Sequence, residues 1–218
     1  MMSVFIGRFH PVFVHLPIGI LLFAALLFFV SKKQKFAAVA AAVAPALAVG
    51  SFFSILSCIT GYLLSISDAY NESIVFKHQW LGIATAITSI VCYIAYQKKF
   101  KYAGALIVVL TALIIITGHN GGNLTHGEDY LTASLLNTKS DKIVIANINE
   151  AVVYKDVIEP ILAAKCYSCH GDSKQKGKLR LDLPNYIMQG GEEGKVLTPY
   201  QPGSSELINR LLLPTSNE

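Results

Sequence analysis

The stretch VFVHLPIGILLFAALLFFV at residues 12–30 decides the fold of this chain. It contains no Asp, Glu, Lys or Arg, and as a helix rising about 1.5 Å per residue it would cross the roughly 30 Å hydrocarbon core of a bilayer. Lys32, Lys33 and Lys35 follow directly, and charges at that place are typical of a membrane anchor rather than a cleavable signal peptide. The stretch therefore predicts a transmembrane helix.

Three more apolar stretches follow in the first half of the chain. One of them is longer than a single span needs, and Pro45 and Gly50 inside it predict a kink, a tilt or an extension past the membrane surface. We therefore expect an all-α fold that begins with a four-helix transmembrane bundle. The predicted spans are Val12–Val30, a segment within Phe36–Ile66, Gln79–Gln97 and Tyr102–Thr117.

The composition is too apolar for a soluble protein and is divided unevenly along the chain. Hydrophobic residues make up 53% and charged residues 15%, whereas a soluble domain carries about 25% charged residues. Residues 1–127 hold 8 Lys and Arg against 2 Asp and Glu, and residues 128–218 hold 10 against 12. The basic excess thus flanks membrane spans, and we expect no nucleic-acid partner. The predicted organisation is a transmembrane domain at 1–127, a linker at 128–150 and a polar domain at 151–218.

The lysines also predict the orientation in the membrane. Positively charged loops stay on the cytoplasmic side, and the two lysine clusters at 32–35 and 98–101 fall on the same side of an up-and-down bundle. We expect a multi-pass protein of the inner (cytoplasmic) membrane. Its N-terminus and everything after the fourth span would lie on the periplasmic side.

This topology places five histidines near one depth at the outer end of the bundle. Helical bundles build cofactor sites from inward-facing side chains, and imidazole is a common ligand of haem iron and divalent metals. One hypothesis is a haem b, or another metal, held by two of His15, His78 and His119, with contact to quinol as a further option. The alternative is that these histidines are solvated by headgroups and loops. The five are His10, His15, His78, His119 and His126.

The same residues carry a resemblance. His10-Pro11, Val14-His15, Pro17, His78 and the glycine-rich segment 118–127 resemble a bacterial family of four-helix membrane proteins catalogued as domain of unknown function 2231. The resemblance covers about residues 10–127 and implies the four-helix topology. It implies no activity.

A helix is predicted early in the polar domain, after a linker that contains a short predicted strand at 143–145. Asp156 and Glu159 have the spacing of a capping box, and Pro160 would lie in the first turn, where a missing N–H costs little. The buried stripe of this helix would consist of Val157, Ile158, Ile161 and Leu162.

The strongest chemical signal is Cys166-Tyr167-Ser168-Cys169-His170. C-x-x-C-H is the attachment sequence for c-type haem, in which both thiols form thioethers with the porphyrin and the histidine is the proximal iron ligand. A redox dithiol would need no histidine after it, and a zinc site would need more cysteines, whereas only Cys58 and Cys92 remain. The motif therefore favours one covalent haem c at Cys166, Cys169 and His170.

The residues around this motif closely resemble the planctomycete-type cytochrome c domain. They are Gly171, Gly177-x-Leu179-Arg180-Leu181-Asp182, Gly190-Gly191, Gly194 and Pro202-Gly203-x-Ser205-x-Leu207, within about residues 150–213. The resemblance implies a small helical haem domain whose distal ligand is a methionine in a Met-Pro element near its end. No such element follows Leu213-Pro214, so we expect that the native chain continues past Glu218, that the iron has another ligand, or that its sixth position is open. Met188 is the candidate distal ligand here, and a core or loop position is its alternative.

Together these features predict a membrane-anchored c-type cytochrome that transfers electrons at the periplasmic face, an electron carrier more than an enzyme. Its partners would be membrane lipid, periplasmic redox proteins and, through the histidines, quinol. A basic run from Lys174 to Arg180 would lie in a solvated loop that can steer an acidic partner. Two alternatives are a docking subunit that presents the cytochrome to a larger redox complex, and a haem enzyme that binds a small ligand at an open axial position.

Overall fold

A computed structural model describes residues 2–66, 70–126 and 150–214 of the chain. The predicted strand at 143–145 and the linker at 128–150, apart from residue 150, lie outside these residues. The chain divides into two compact units, one formed by Met1–Asp68 with Glu72–Gly121 and the other by Ala69–Asn71 with Gly122–Glu218.

The all-α fold is confirmed: the described residues form helices and isolated bridges but no strand. The helices are α1 (Met2–Gly7), α2 (His10–Val30), α3 (Val43–Ser65), α4 (Glu72–Gln97), α5 (Ala103–His126), α6 (Glu159–Lys165), α7 (Tyr167–His170), α8 (Pro184–Gln189) and α9 (Glu206–Leu211). Segments of 3₁₀ or π helix occur at Gln34–Ala42, Val153–Ile158, Lys176–Lys178 and Pro202–Ser204.

Four of the segments are long and apolar enough to cross a membrane, as the sequence predicts. They are longer than the apolar windows, because helices continue into polar residues that hydropathy leaves out. The break in the second segment lies at Phe36, which has non-helical backbone angles, and not at Pro45, which is accommodated near the start of α3. The segments run over Phe5–Val30, Gln34–Ser65, Glu72–Gln97 and Ala103–His126.

Small polar side chains form the buried face of α3. Ser51, Ser54, Ser57 and Thr60 recur every third residue and are at most 7% exposed. The Ser54 hydroxyl donates to Gly50 O at 2.9 Å and the Ser57 hydroxyl to Phe53 O at 2.8 Å, so these two hydroxyls are satisfied within their own helix, whereas that of Ser51 has no partner among the described residues. Small residues let membrane helices approach closely, which is the main source of packing where lipid is as apolar as the protein.

Large apolar side chains fill the other end of the bundle and also cover its outside. Leu21, Phe28, Leu47 and Ile107 belong to one buried cluster. The exposed apolar side chains are consistent with contact to lipid tails, and they include Phe23, Phe52, Ile59, Ile87 and Ile115.

The second unit has a small core, and its first helix differs in part from the prediction. Helical structure begins at Val153, before the predicted start. The Asp156 carboxylate accepts a hydrogen bond from the Val152 N–H at 2.7 Å, so Asp156 does not cap α6, which begins at Glu159. The buried residues of this core are Leu162, Leu181 and Ile187. The predicted stripe is therefore wrong for Ile158 and Ile161, which are 40% and 43% exposed, because so few core residues can cover only one side of the helix.

Ser54→Leu should destabilise the bundle, because a larger side chain at this buried position forces α3 away from its neighbours at a cost of about 1–3 kcal/mol. Ser54→Ala should change little, since it removes a hydroxyl that bonds only within its helix. Thermal unfolding in detergent, followed by the fluorescence of the single tryptophan, Trp80, measures both. Ile55→Leu is the control on an exposed position of the same helix. Equal melting temperatures for Ser54→Leu and Ile55→Leu would contradict this packing.

Candidate functional site

The motif at Cys166–His170 folds as one helical turn at the end of α6. The N–H groups of Cys169 and His170 donate to Cys166 O at 3.1 and 2.8 Å. Residues three apart on a helix lie on the same face, so the turn places Cys166 and Cys169 on one side with His170 beside them. Both cysteines are free thiols and half-buried.

Residues of the core of the second unit contact this turn. The Leu181 N–H donates to His170 O at 2.7 Å, and Leu181 is only 1% exposed. Cys166 packs against the same core. A Cβ on Gly171 would lie 2.5 Å from Tyr167 O, so only glycine fits directly after the motif. The position of the histidine is thus fixed by its neighbours and not by the helical turn alone.

Two physical observations bear on what the motif can bind. The Nδ1 atom of His170 is buried and has no hydrogen-bond partner in the part of the chain that the structure describes, and such an unsatisfied polar atom costs free energy until a bound group or a rearrangement supplies a partner. Burial, and then the neighbouring Cys169, raise the pKa of the Cys166 thiol, whereas redox dithiols depend on a lowered pKa. Two free thiols and an adjacent imidazole fit covalent haem.

A zinc site finds no further support here. Zinc takes three or four protein ligands, and within residues 2–66, 70–126 and 150–214 no three His, Cys, Asp or Glu side chains are grouped to hold a metal ion. Haem iron requires only the histidine and one further axial ligand from the protein, because the porphyrin supplies the rest.

Arg180 contacts Asp172, Asp182 and Tyr186, which lie before and after Leu181 in the segment that follows His170. Its Nε donates to Asp182 Oδ1 at 3.0 Å, its guanidinium lies 3.0 Å from Asp172 Oδ1, and it stacks on Tyr186 at 4.1 Å. The hydrogen bond to Asp182 raises the pKa of Arg180 above its ordinary value. The side chains of Arg180 and Asp182 are only 17% exposed. The predicted solvated basic run therefore ends before Arg180, which is a structural clamp.

Two tyrosines near the motif were not singled out by the sequence. The hydroxyl oxygens of Tyr154 and Tyr167 are buried and lack partners among the described residues. Burial, followed by nearby negative charges, raises the pKa of Tyr167 to about 12, and that of Tyr154 is also raised. The sequence shows that Tyr167 lies between the two cysteines, but only the tertiary fold shows that its hydroxyl is buried.

The structure brings His78 close to His10, whereas the predicted ligands were two of His15, His78 and His119. His78 is half-buried, and its ring centre lies 6.3 Å from that of His10. His15 and His119 are exposed, and the His15 ring bonds to Pro11 O of its own helix. Met188 is 43% exposed on α8 and so lies outside the core.

Comparison with known proteins supports the motif and not the membrane half. A family model described as planctomycete cytochrome C matches residues 166–216, which supports a cytochrome-like role and implies a haem cofactor. The match covers none of the four apolar segments, so the resemblance of residues 10–127 stays a prediction. No curated protein and no solved structure matches the chain.

Arg180→Ala should loosen the segment that supports His170, because it leaves Asp182 half-buried without its partner, at a cost of about 2 kcal/mol. Hydrogen–deuterium exchange of peptides from residues 166–187 should rise accordingly. Arg210→Ala is the matched control: Arg210 also pairs with two carboxylates, Glu206 and Glu193, but on the surface. Equal protection of these peptides in both variants would refute the clamp.

Tyr167 should ionise late, near pH 12, because its neutral form is favoured in the folded protein. The stability that this provides is present below the ordinary tyrosine pKa of about 10 and is lost as the pH rises from there to 12. Ultraviolet titration of tyrosinate measures it. Because the pKa of Tyr154 is also raised, Tyr167→Phe should reduce the late component by one tyrosine, whereas Tyr200→Phe, on a fully exposed ring, should leave it unchanged. A late component of undiminished amplitude in Tyr167→Phe would disprove the contribution of Tyr167.

Proposed function

We propose that the chain is a membrane-anchored c-type cytochrome that carries single electrons. The haem would be bound covalently through Cys166 and Cys169, with His170 as the proximal ligand. The observation that carries this proposal is the motif itself: two free thiols on one face of a turn, beside a histidine whose backbone is bonded to the core, in the segment that matches the cytochrome family model. When bound, haem supplies iron that accepts and returns one electron.

The residues of the chain then have distinct tasks. Leu181 holds the backbone of His170 and Arg180 holds the segment that contains Leu181, so the backbone that carries the proposed ligand would stay in place during oxidation and reduction. A fixed ligand geometry reduces the reorganisation that accompanies each electron transfer. Met188 is the proposed distal ligand, and its exposed thioether is accessible to a bound group.

The four apolar helices would confine this carrier to the membrane surface. The lysine clusters at 32–35 and 98–101 support an orientation in which the haem domain lies on the periplasmic side, where c-type haem is attached. Its electron partners would be periplasmic redox proteins, and a quinol or a haem b at the outer histidines would supply electrons from the membrane.

Pyridine haemochrome spectra of the purified full chain, made in cells that attach c-type haem, test the proposal. Wild-type protein should show a c-type band that remains with the protein after acid–acetone extraction. Cys166→Ala/Cys169→Ala should lose this band. Cys58→Ala/Cys92→Ala, which removes the two thiols of the apolar helices, should keep it. Absence of the band from wild-type protein, or its survival in the first variant, would overturn the proposal.

A further inference from the structure

Two histidines on different helices of the membrane unit are held in the same way, at positions that the cytochrome motif does not explain. His10 begins α2 and His78 lies in the second turn of α4. Their rings are both half-buried, with centres 6.3 Å apart and planes at 81°. We propose that His10 and His78 form a two-imidazole site for a transition-metal centre, either the iron of a porphyrin or a free divalent ion.

Each ring is fixed through one nitrogen to the backbone of the following helix. Nδ1 of His10 lies 3.0 Å from Ser57 O on α3, and Nδ1 of His78 lies 3.2 Å from Thr117 O on α5. A carbonyl oxygen only accepts, so each Nδ1 carries the proton and donates it. The other nitrogen, Nε2, is then the unprotonated one on both rings.

This arrangement is the one that metal-binding histidines use. A ligating imidazole donates its second ring N–H to a carbonyl or carboxylate, which sets the tautomer and the ring orientation. Thr60 is near enough to His10 Nδ1, at 3.4 Å, to compete, but its hydroxyl donates to Leu56 O at 3.0 Å. Nothing in the described part of the chain donates to Nε2 of His10 or His78, so each presents a lone pair with no protein partner there.

A glycine faces each ring and makes room for it. A Cβ on Gly61 would lie 2.8 Å from Cε1 of His10, and a Cβ on Gly121 would lie 2.9 Å from Cε1 of His78. Each glycine lies four residues after the carbonyl that holds the ring, on the same face of its helix. Any other residue would push the imidazole off its carbonyl. The same three-part arrangement thus occurs twice, once in each helix pair.

The number of ligands favours iron porphyrin over a free ion, and the separation of the rings is compatible with one metal between them. Two imidazoles on opposite sides of one metal have ring centres about 6 Å apart, given metal–nitrogen bonds of about 2 Å. Structural zinc takes more protein ligands than two, and the membrane unit, over the residues described, offers no third His, Cys, Asp or Glu at this place. Haem iron needs two axial ligands at most.

The test measures extractable haem and bound metal in the purified full chain. Non-covalent haem leaves the protein in acid–acetone, whereas haem at the cysteine motif stays, so the two are counted separately. Elemental analysis counts iron, zinc and copper. Wild-type protein should hold close to one equivalent of extractable haem, or of a free ion, per chain. His10→Ala and His78→Ala should each lower it at least tenfold.

Three controls make the result specific. His15→Ala and His119→Ala remove exposed histidines from the same helices or end of the bundle and should retain the ligand. Gly121→Ala keeps every histidine but displaces the His78 ring, and should lose the ligand if the protein still elutes as one species. Cys166→Ala/Cys169→Ala should lose only covalent haem, which separates this site from the proposed cytochrome function.

The outcomes are decisive in either direction. An extractable b-type haem that disappears in His10→Ala and His78→Ala identifies the iron of a porphyrin, and a stoichiometric ion that disappears in the same variants identifies a free metal. Wild-type protein with neither ligand would overturn the proposal, as would a ligand retained by both His10→Ala and His78→Ala.

Discussion

In the proposed membrane setting, the absence of water from the hydrocarbon core is the constraint on which the first unit would depend. A backbone in lipid must satisfy its polar groups within the chain, and the long apolar segments are indeed helices, in which hydroxyls such as that of Ser54 bond to a carbonyl of their own helix. With no hydrophobic force between helices, packing relies on close approach. The same small residues that permit this approach, Gly61 and Gly121 among them, leave space in which the rings of His10 and His78 can lie.

The second unit is limited by the size of its core, because among its described residues the buried core cluster consists of Leu162, Leu181 and Ile187. So small a core contributes little stability by area alone. Polar contacts at its edge, such as Arg180 with Asp182, and a covalently bound cofactor in the proposed function, would complete it. Ile158 and Ile161 are exposed for the same reason, because so small a core has too few side chains to cover them.

The sequence predicted those features that depend on local pattern. Apolar length located the four segments, and the spacing of Cys166, Cys169 and His170 located the candidate site. It did not predict which histidines meet, because hydropathy leaves the rotation of each helix about its axis undetermined, and His10 and His15 differ by more than a third of a turn. Nor did the sequence distinguish Arg180 from the lysines before it. Arg180 differs from them because it forms ion pairs with Asp182 and Asp172, and the pair with Asp172 depends on how the loop folds.

The support of His170 comes from residues that follow it in the chain, and this fixes an order of events. In the proposed topology, a chain exported from its N-terminal end would present Cys166 to His170 outside the membrane before Leu181 and Arg180 emerge. During that interval the turn would lack the contact from Leu181 and, in the proposed function, would be accessible to the machinery that attaches haem. Once the later segment arrives, the Leu181 N–H can donate to His170 O. The direction of synthesis would thus set the time in which haem can be attached.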